Sequence, residues 1–76
     1  MLIGEIVERY CKENSISHYE FAEKAGMTTV SLSRMIRENR LPAVPHIKNI
    51  ARVMDMPFMD LIHEHYSTYD EPEGEK

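Results

Sequence analysis

One cysteine, three glycines, four prolines and no tryptophan are spread over 76 residues. A single thiol, Cys11, builds neither an internal disulfide framework nor a zinc cage made of cysteines alone. No apolar run approaches the roughly 18 residues that a membrane-spanning helix needs. The opening Met-Leu-Ile-Gly-Glu has neither the basic flank nor the long apolar stretch of a secretory signal. Glycine-rich phosphate loops are missing, as is any pairing of nucleophile and base at catalytic spacing. A chain this short also has too little core to wall off a dry active site. The expectation is a cytoplasmic protein that is not an enzyme and carries no cofactor or metal.

What remains is one small domain's worth of material. The chain is 42% hydrophobic, too rich for a disordered tail. Its formal net charge is -4, yet the charge is placed unevenly. Residues 1–27 sum to -2 and residues 55–76 to -6, while residues 28–54 sum to +4. That middle third holds Arg34, Arg37, Arg40, Lys48 and Arg52 against Glu38 alone. It is a basic island between acidic flanks, and for a polyanionic partner location matters more than total.

The hydrophobic pattern is helical almost throughout. Ile3, Ile6, Val7 and Tyr10 recur at spacings of three and four, one apolar face of a first helix. Ser17 is a good N-cap, and Glu20 three places later completes a capping-box pattern. Ile16 and Phe21 flank that cap as a hydrophobic staple. The second helix stops at Gly26, and Thr28 caps a third that runs to about Glu38, with Leu32, Met35 and Ile36 inward. Leu41-Pro42-Ala43-Val44-Pro45 reads as a loop leading into a fourth helix through Ile47, Ile50, Ala51 and Met54. Asp55-Met56-Pro57 punctuates again before a last helix bearing Phe58, Leu61 and Ile62. Residues 1–66 form the expected domain, and 67–76 an acidic tail or linker to a further domain. No repeat and no strand is evident, so the expected fold is all-α, a bundle of five short helices.

The segment from Ser17 to Pro42 meets the demands of a helix-turn-helix, in which the second of two short helices enters the DNA major groove. Ala22 is the small residue where the helices cross. Gly26, four places on, tolerates left-handed backbone at the turn. Leu32, six further on, returns an aliphatic side chain to the core. Phe21, Ala25 and Met35 add apolar positions at matching offsets.

On these residues, positions 6–62 resemble the Cro/C1-type helix-turn-helix domain of phage repressors and bacterial regulators, the XRE family. The run Ser17-His18-Tyr19-Glu20-Phe21-Ala22-Glu23-Lys24-Ala25-Gly26-Met27-Thr28-Thr29-Val30-Ser31-Leu32-Ser33-Arg34-Met35 carries most of the likeness. Ile47-Lys48-Asn49-Ile50-Ala51 and Met56-Pro57-Phe58-Met59-Asp60-Leu61-Ile62 complete it. The resemblance implies a lambda-repressor-like five-helix bundle and a sequence-specific DNA-binding module that acts as a dimer. Two departures stand out. Family members commonly pair an arginine of helix 1 with a glutamate of helix 3, where this chain has Cys11 and Ile36. Replacing both ends of a buried ion pair by apolar groups is often neutral, so a retained fold is expected. Glu38 stands where the family usually turns on glycine.

Helix geometry then distributes roles. With Leu32 and Met35 inward, Thr29, Val30, Ser33 and Arg34 are the candidate base contacts, near the start of the reading helix. Arg37, Asn39 and Arg40 are candidates for phosphate. Ser17 and His18 at one helix N-terminus, and Thr28 at the next, offer backbone amides to further phosphates. Val53, Met59, His63 and Tyr66 are the candidate dimer surface.

Two rival readings accompany the DNA-binding repressor. A protein-interaction module, such as an antitoxin or an antagonist of another regulator, would suit the net acidic charge. A minimal metal hydrolase would use His63 and His65, although two residues apart on a helix face different ways.

Overall fold

Four of the five helices begin on a local feature of the sequence. Glu5 Oε1 accepts the backbone N–H of Leu2 at 3.1 Å, at the start of α1, Ile3–Glu13. Ser17 Oγ accepts the N–H of Glu20 at 3.0 Å and opens α2, His18–Ala25. Thr28 Oγ1 accepts the N–H of Ser31 at 3.0 Å and opens α3, Thr29–Glu38. Such caps satisfy amide groups that the first turn of a helix leaves without a partner. Helix α4, Val44–Val53, begins inside the expected loop, because Pro45 in its first turn needs no N–H partner. Helix α5 spans Phe58–Ser67. The computed structural model describes residues 1–67, and no strand occurs among them. The expected acidic tail, apart from Ser67 in α5, lies outside the described residues.

All five helices feed one core. Ile3, Val7 and Cys11 come from α1, Phe21, Ala22 and Ala25 from α2, and Leu32 and Met35 from α3. Ile47, Ile50 and Ala51 come from α4 and Leu61 from α5. A fully buried side chain of the size of Leu or Phe contributes about 1.5–3 kcal/mol. Ile16 and Ile36 pack against this cluster, half-buried. Tyr10 meets Phe21 edge to face at 5.8 Å, and its hydroxyl donates to the Val53 carbonyl at 3.2 Å. Cys11 is buried, and loss of solvent, reinforced by Glu8, raises its thiol pKa. It behaves as a small apolar residue.

Two long-range contacts set how α1 sits. Gly4 is buried where α1 crosses α3. A Cβ there would fall 2.7 Å from the Ile36 carbonyl oxygen and 2.9 Å from Ile36 Cα, and also against Asn39 Oδ1. The helices approach this closely only because position 4 has no side chain. At the N-terminus of α1, Ile3 donates its backbone N–H to Nδ1 of His65, 62 residues away, at 3.0 Å. His65 is 3% exposed. Burial, with the N-terminal ammonium contributing less, lowers its pKa below 6.5 and favours the neutral ring that can accept.

Candidate nucleic-acid interface

Helices α2 and α3 pack directly on one another across a three-residue turn. Gly26 sits at φ 71°, in the left-handed region. The turn closes with Gly26 N–H on the Glu23 carbonyl at 3.2 Å and Met27 N–H on the Ala22 carbonyl at 2.9 Å. Ala22, Ala25 and Leu32 are all buried. The three demands of a helix-turn-helix are thus met by the residues the sequence singled out.

The turn sets which face of α3 looks outward. Val30, Arg34 and Arg37 follow one another at four and three residues, a single stripe on a helix. All three are exposed, Val30 at 71%. Thr29 and Ser33 flank the stripe and are half-buried. No ion pair involves Arg34 or Arg37 among the described residues.

The basic island divides when its partners are examined. Lys48 lies with Nζ 5.4 Å from the centre of the Phe58 ring. Arg52 donates to Asn49 Oδ1 at 2.8 Å along the same helix. Those two cations are engaged within α4 and α5. Arg40, 80% exposed, stands 3.5 Å from Glu38, a solvent-screened pair of little strength. Within the island, the uncommitted positive charge is therefore concentrated on α3 and the loop after it.

The remaining candidates around α3 fall into distinct settings. Ser17 is exposed, with its hydroxyl engaged in the α2 cap. The Thr28 hydroxyl both accepts the Ser31 amide and donates to Ser31 Oγ at 3.0 Å. At these two positions it is the free backbone amides of the following first turn that remain for an anion. His18 Nε2 lies 4.0 Å from Glu8 Oε2. Asn39 has a structural task that the sequence did not reveal. It ends α3 at φ 53°, so the left-handed turn falls one residue beyond Glu38. Its Oδ1 is buried against Gly4, without a hydrogen bond. Asparagine is among the few side chains that adopt this backbone readily. Tyr19 at the start of α2 and Val44 at the start of α4 are also exposed, at 64% and 52%. Neither stood out in the sequence, because a lone apolar residue on a polar helix face breaks no pattern.

Val53, Met59, His63 and Tyr66 lie on α4 and α5. Val53 is half-buried and packs on the core. Met59, His63 and Tyr66 are exposed. His63 and His65 do face apart, one in solvent and one bound to α1. No three of His, Cys, Asp and Glu come together as metal ligands among the described residues. No helix is long and apolar enough to cross a membrane.

Comparison with known proteins agrees with this geometry. The family model described as "Helix-turn-helix" matches residues 7–61. The chain is 32% identical over 71 residues to the HTH-type transcriptional regulator SinR of Bacillus subtilis (strain 168). That alignment covers 91% of this chain and 64% of SinR, so the chain spans a little under two thirds of that relative's length. No solved structure matches the chain significantly. The family is one of transcription regulators and is not enzymatic. With a glycine turn between two capped helices, and a family match across most of its length, the chain belongs to the Cro/C1-type (XRE) family of DNA-binding helix-turn-helix domains.

Proposed function

We propose that the protein is a sequence-specific transcriptional regulator, a repressor, that lays α3 in the major groove of operator DNA. The observation that carries this reading is the exposed stripe Val30, Arg34 and Arg37, whose cations have no acidic partner among the described residues. A guanidinium matches the two acceptors of a guanine edge, and such a pair discriminates by about 1–3 kcal/mol. Val30 and the Thr29 methyl suit a thymine methyl, and Ser33 offers a hydroxyl beside them. Arg37 and Arg40 reach phosphates further along, with Asn39 between them. The amide-rich starts of α2 (Ser17, His18) and α3 (Thr28) hold phosphates on either side.

The functional unit is a homodimer in the cytoplasm, formed through Val53, Met59, His63 and Tyr66. Two modules on half-sites one helical turn apart gain affinity by linkage that one small module lacks. Residues 1–66 are the DNA-binding domain, and 67–76 a tail or linker.

Selection of binding sites from random duplex DNA tests this reading. The expected product is a near-palindrome bound with a steep salt dependence, as phosphate counterions are released. On that duplex, Arg34→Ala relaxes base preference and Arg40→Ala weakens all sequences alike. Wild-type binding by both variants would remove the mechanism.

A further inference from the structure

Among the described residues, helices α3 and α4 both pack on α2 but not on each other. A cavity of about 320 Å³ is lined from both, by Arg34 and Met35 of α3 and by His46 of α4. The turn before α3 adds Met27, and the loop after it adds Leu41 and Pro42. Met35 is buried and the other three apolar residues are half-buried. The volume lies at the small end of the range for small-molecule sites, about 300–1,000 Å³.

We propose that this cavity binds a small aromatic carboxylate, and that the ligand competes with DNA for Arg34. The binding stands on the cavity and its side chains alone, and the competition rests on the function proposed above.

The lining combines two chemistries. Two of its four apolar residues are methionines, whose thioethers make favourable contacts with aromatic rings. Three charged side chains line the same space, Arg34, Glu38 and Arg40. Glu38 and Arg40 stand 3.5 Å apart and offset one another. The charge left for a ligand is the exposed Arg34 cation, which has no ion-pair partner among the described residues. A guanidinium takes one carboxylate through two parallel N–H donors. An exposed ion pair alone is weak, so the ring and the carboxylate are both needed. Once paired in this way, Arg34 no longer offers its donors to a guanine edge. Ligand and duplex therefore weaken each other by the same factor.

The probe is phenylacetate, with acetate as a control that lacks the ring and phenylacetamide as one that lacks the charge. Each is titrated into the full chain at constant ionic strength, with no DNA present, and backbone amide shifts are recorded. The proposal expects saturable shifts with phenylacetate, gathered at Met27, Arg34, Leu41 and His46, and much weaker responses to both controls. Arg34→Gln should weaken phenylacetate about tenfold, as a charge-assisted pair is lost. Glu38→Gln should tighten it, because the acid on the lining is removed. No saturable shifts at these residues would overturn the site. An equal response to acetate would reduce it to general anion pairing, and an equal response to phenylacetamide would remove the carboxylate preference, and either sinks the assignment. A second arm titrates the selected duplex with and without saturating phenylacetate, and duplex affinity is expected to fall about tenfold. Unchanged affinity would overturn the competition. Saturable shifts with no duplex bound in either condition would leave the ligand site standing and remove the regulator reading instead.

Discussion

Helices α1 and α3 cross in contact, yet their outward faces have opposite economies of charge. On α1 most of the charged side chains are engaged within the fold. Glu5 holds the Leu2 amide, Arg9 stands 3.5 Å from Glu13, and Glu8 stands 4.0 Å from His18. Even the amide of Ile3 is taken, by His65. On α3 the first acid is Glu38 at its last position, and Arg34 and Arg37 have no ion-pair partner among the described residues. The lesson concerns net charge. A chain at -4 still presents a cationic surface where its acids are committed or located elsewhere. In this account α1 is scaffold and α3 is reader, so substitutions in the first cost stability and in the second cost DNA binding.

The largest effect is expected at the crossing itself. Gly4→Val puts side-chain atoms into the Ile36 backbone, which cannot rotate away as a side chain could. Overpacking of this kind costs about 3 kcal/mol or more where backbone must move. At roughly 4–8 °C per kcal/mol for a domain of this size, the melting temperature falls well beyond measurement error. Thermal or urea unfolding measures it, and an unchanged midpoint would mean that the helices do not approach as closely as described.

His65→Leu comes next. It leaves the Ile3 amide buried without an acceptor, a loss of about 1–3 kcal/mol. The same bond gives a pH signature. The folded pKa of His65 lies below its ordinary 6.5, since burial disfavours the charged ring. Its contribution to stability is therefore complete above pH 6.5 and is lost as pH falls through the lowered folded value. Urea midpoints of wild type and His65→Leu should converge as the solution is acidified across that window. A constant gap would show that the neutral ring is not what holds α1.

Arg34→Ala reverses the pattern. Stability should stay within about 0.5 kcal/mol of wild type, as for other exposed positions, while affinity for the selected duplex drops tenfold or more. Asn39→Gly is smaller and of opposite sign. It relieves left-handed backbone at φ 53° and removes a buried oxygen that has no partner. A gain of up to about 1 kcal/mol is expected in urea unfolding. Arg9→Ala should do least. An exposed pair one turn apart on a helix contributes about 0.3–0.5 kcal/mol, and neither residue is among the proposed DNA contacts.

The elements were legible because their signals are local. Ser17 and Thr28 cap the helices they were expected to cap, and Gly26 turns where a helix-turn-helix needs it. The inward set Leu32 and Met35 follows from helix period alone. Tertiary partners left no such trace. Nothing near Gly4 in sequence announces that α3 will lie against it, and Ile3 and His65 are 62 residues apart. The sequence offered His65 only as a metal ligand, because a lone histidine does not declare its partner. Glu38 drew attention to the end of α3, whereas the turn falls on Asn39, whose left-handed tolerance compensates for the missing glycine. On the proposed DNA face, type and spacing distinguished Arg34 and Arg37. Only the fold separated them from Lys48 and Arg52, which are engaged elsewhere.

The division between scaffold and reader is tested most directly by one paired titration on the selected duplex at several salt concentrations. Arg34→Ala/Arg37→Ala is compared with Arg9→Ala/Lys12→Ala, each double variant losing two positive charges. The account predicts that the α3 pair loses most of its affinity and flattens the salt slope by one to two phosphate equivalents. The α1 pair should stay within about twofold of wild type, since neither cation is among the proposed contacts. Equal losses in the two double variants would contradict it, since DNA would then be responding to total charge and not to the face that the turn at Gly26 presents.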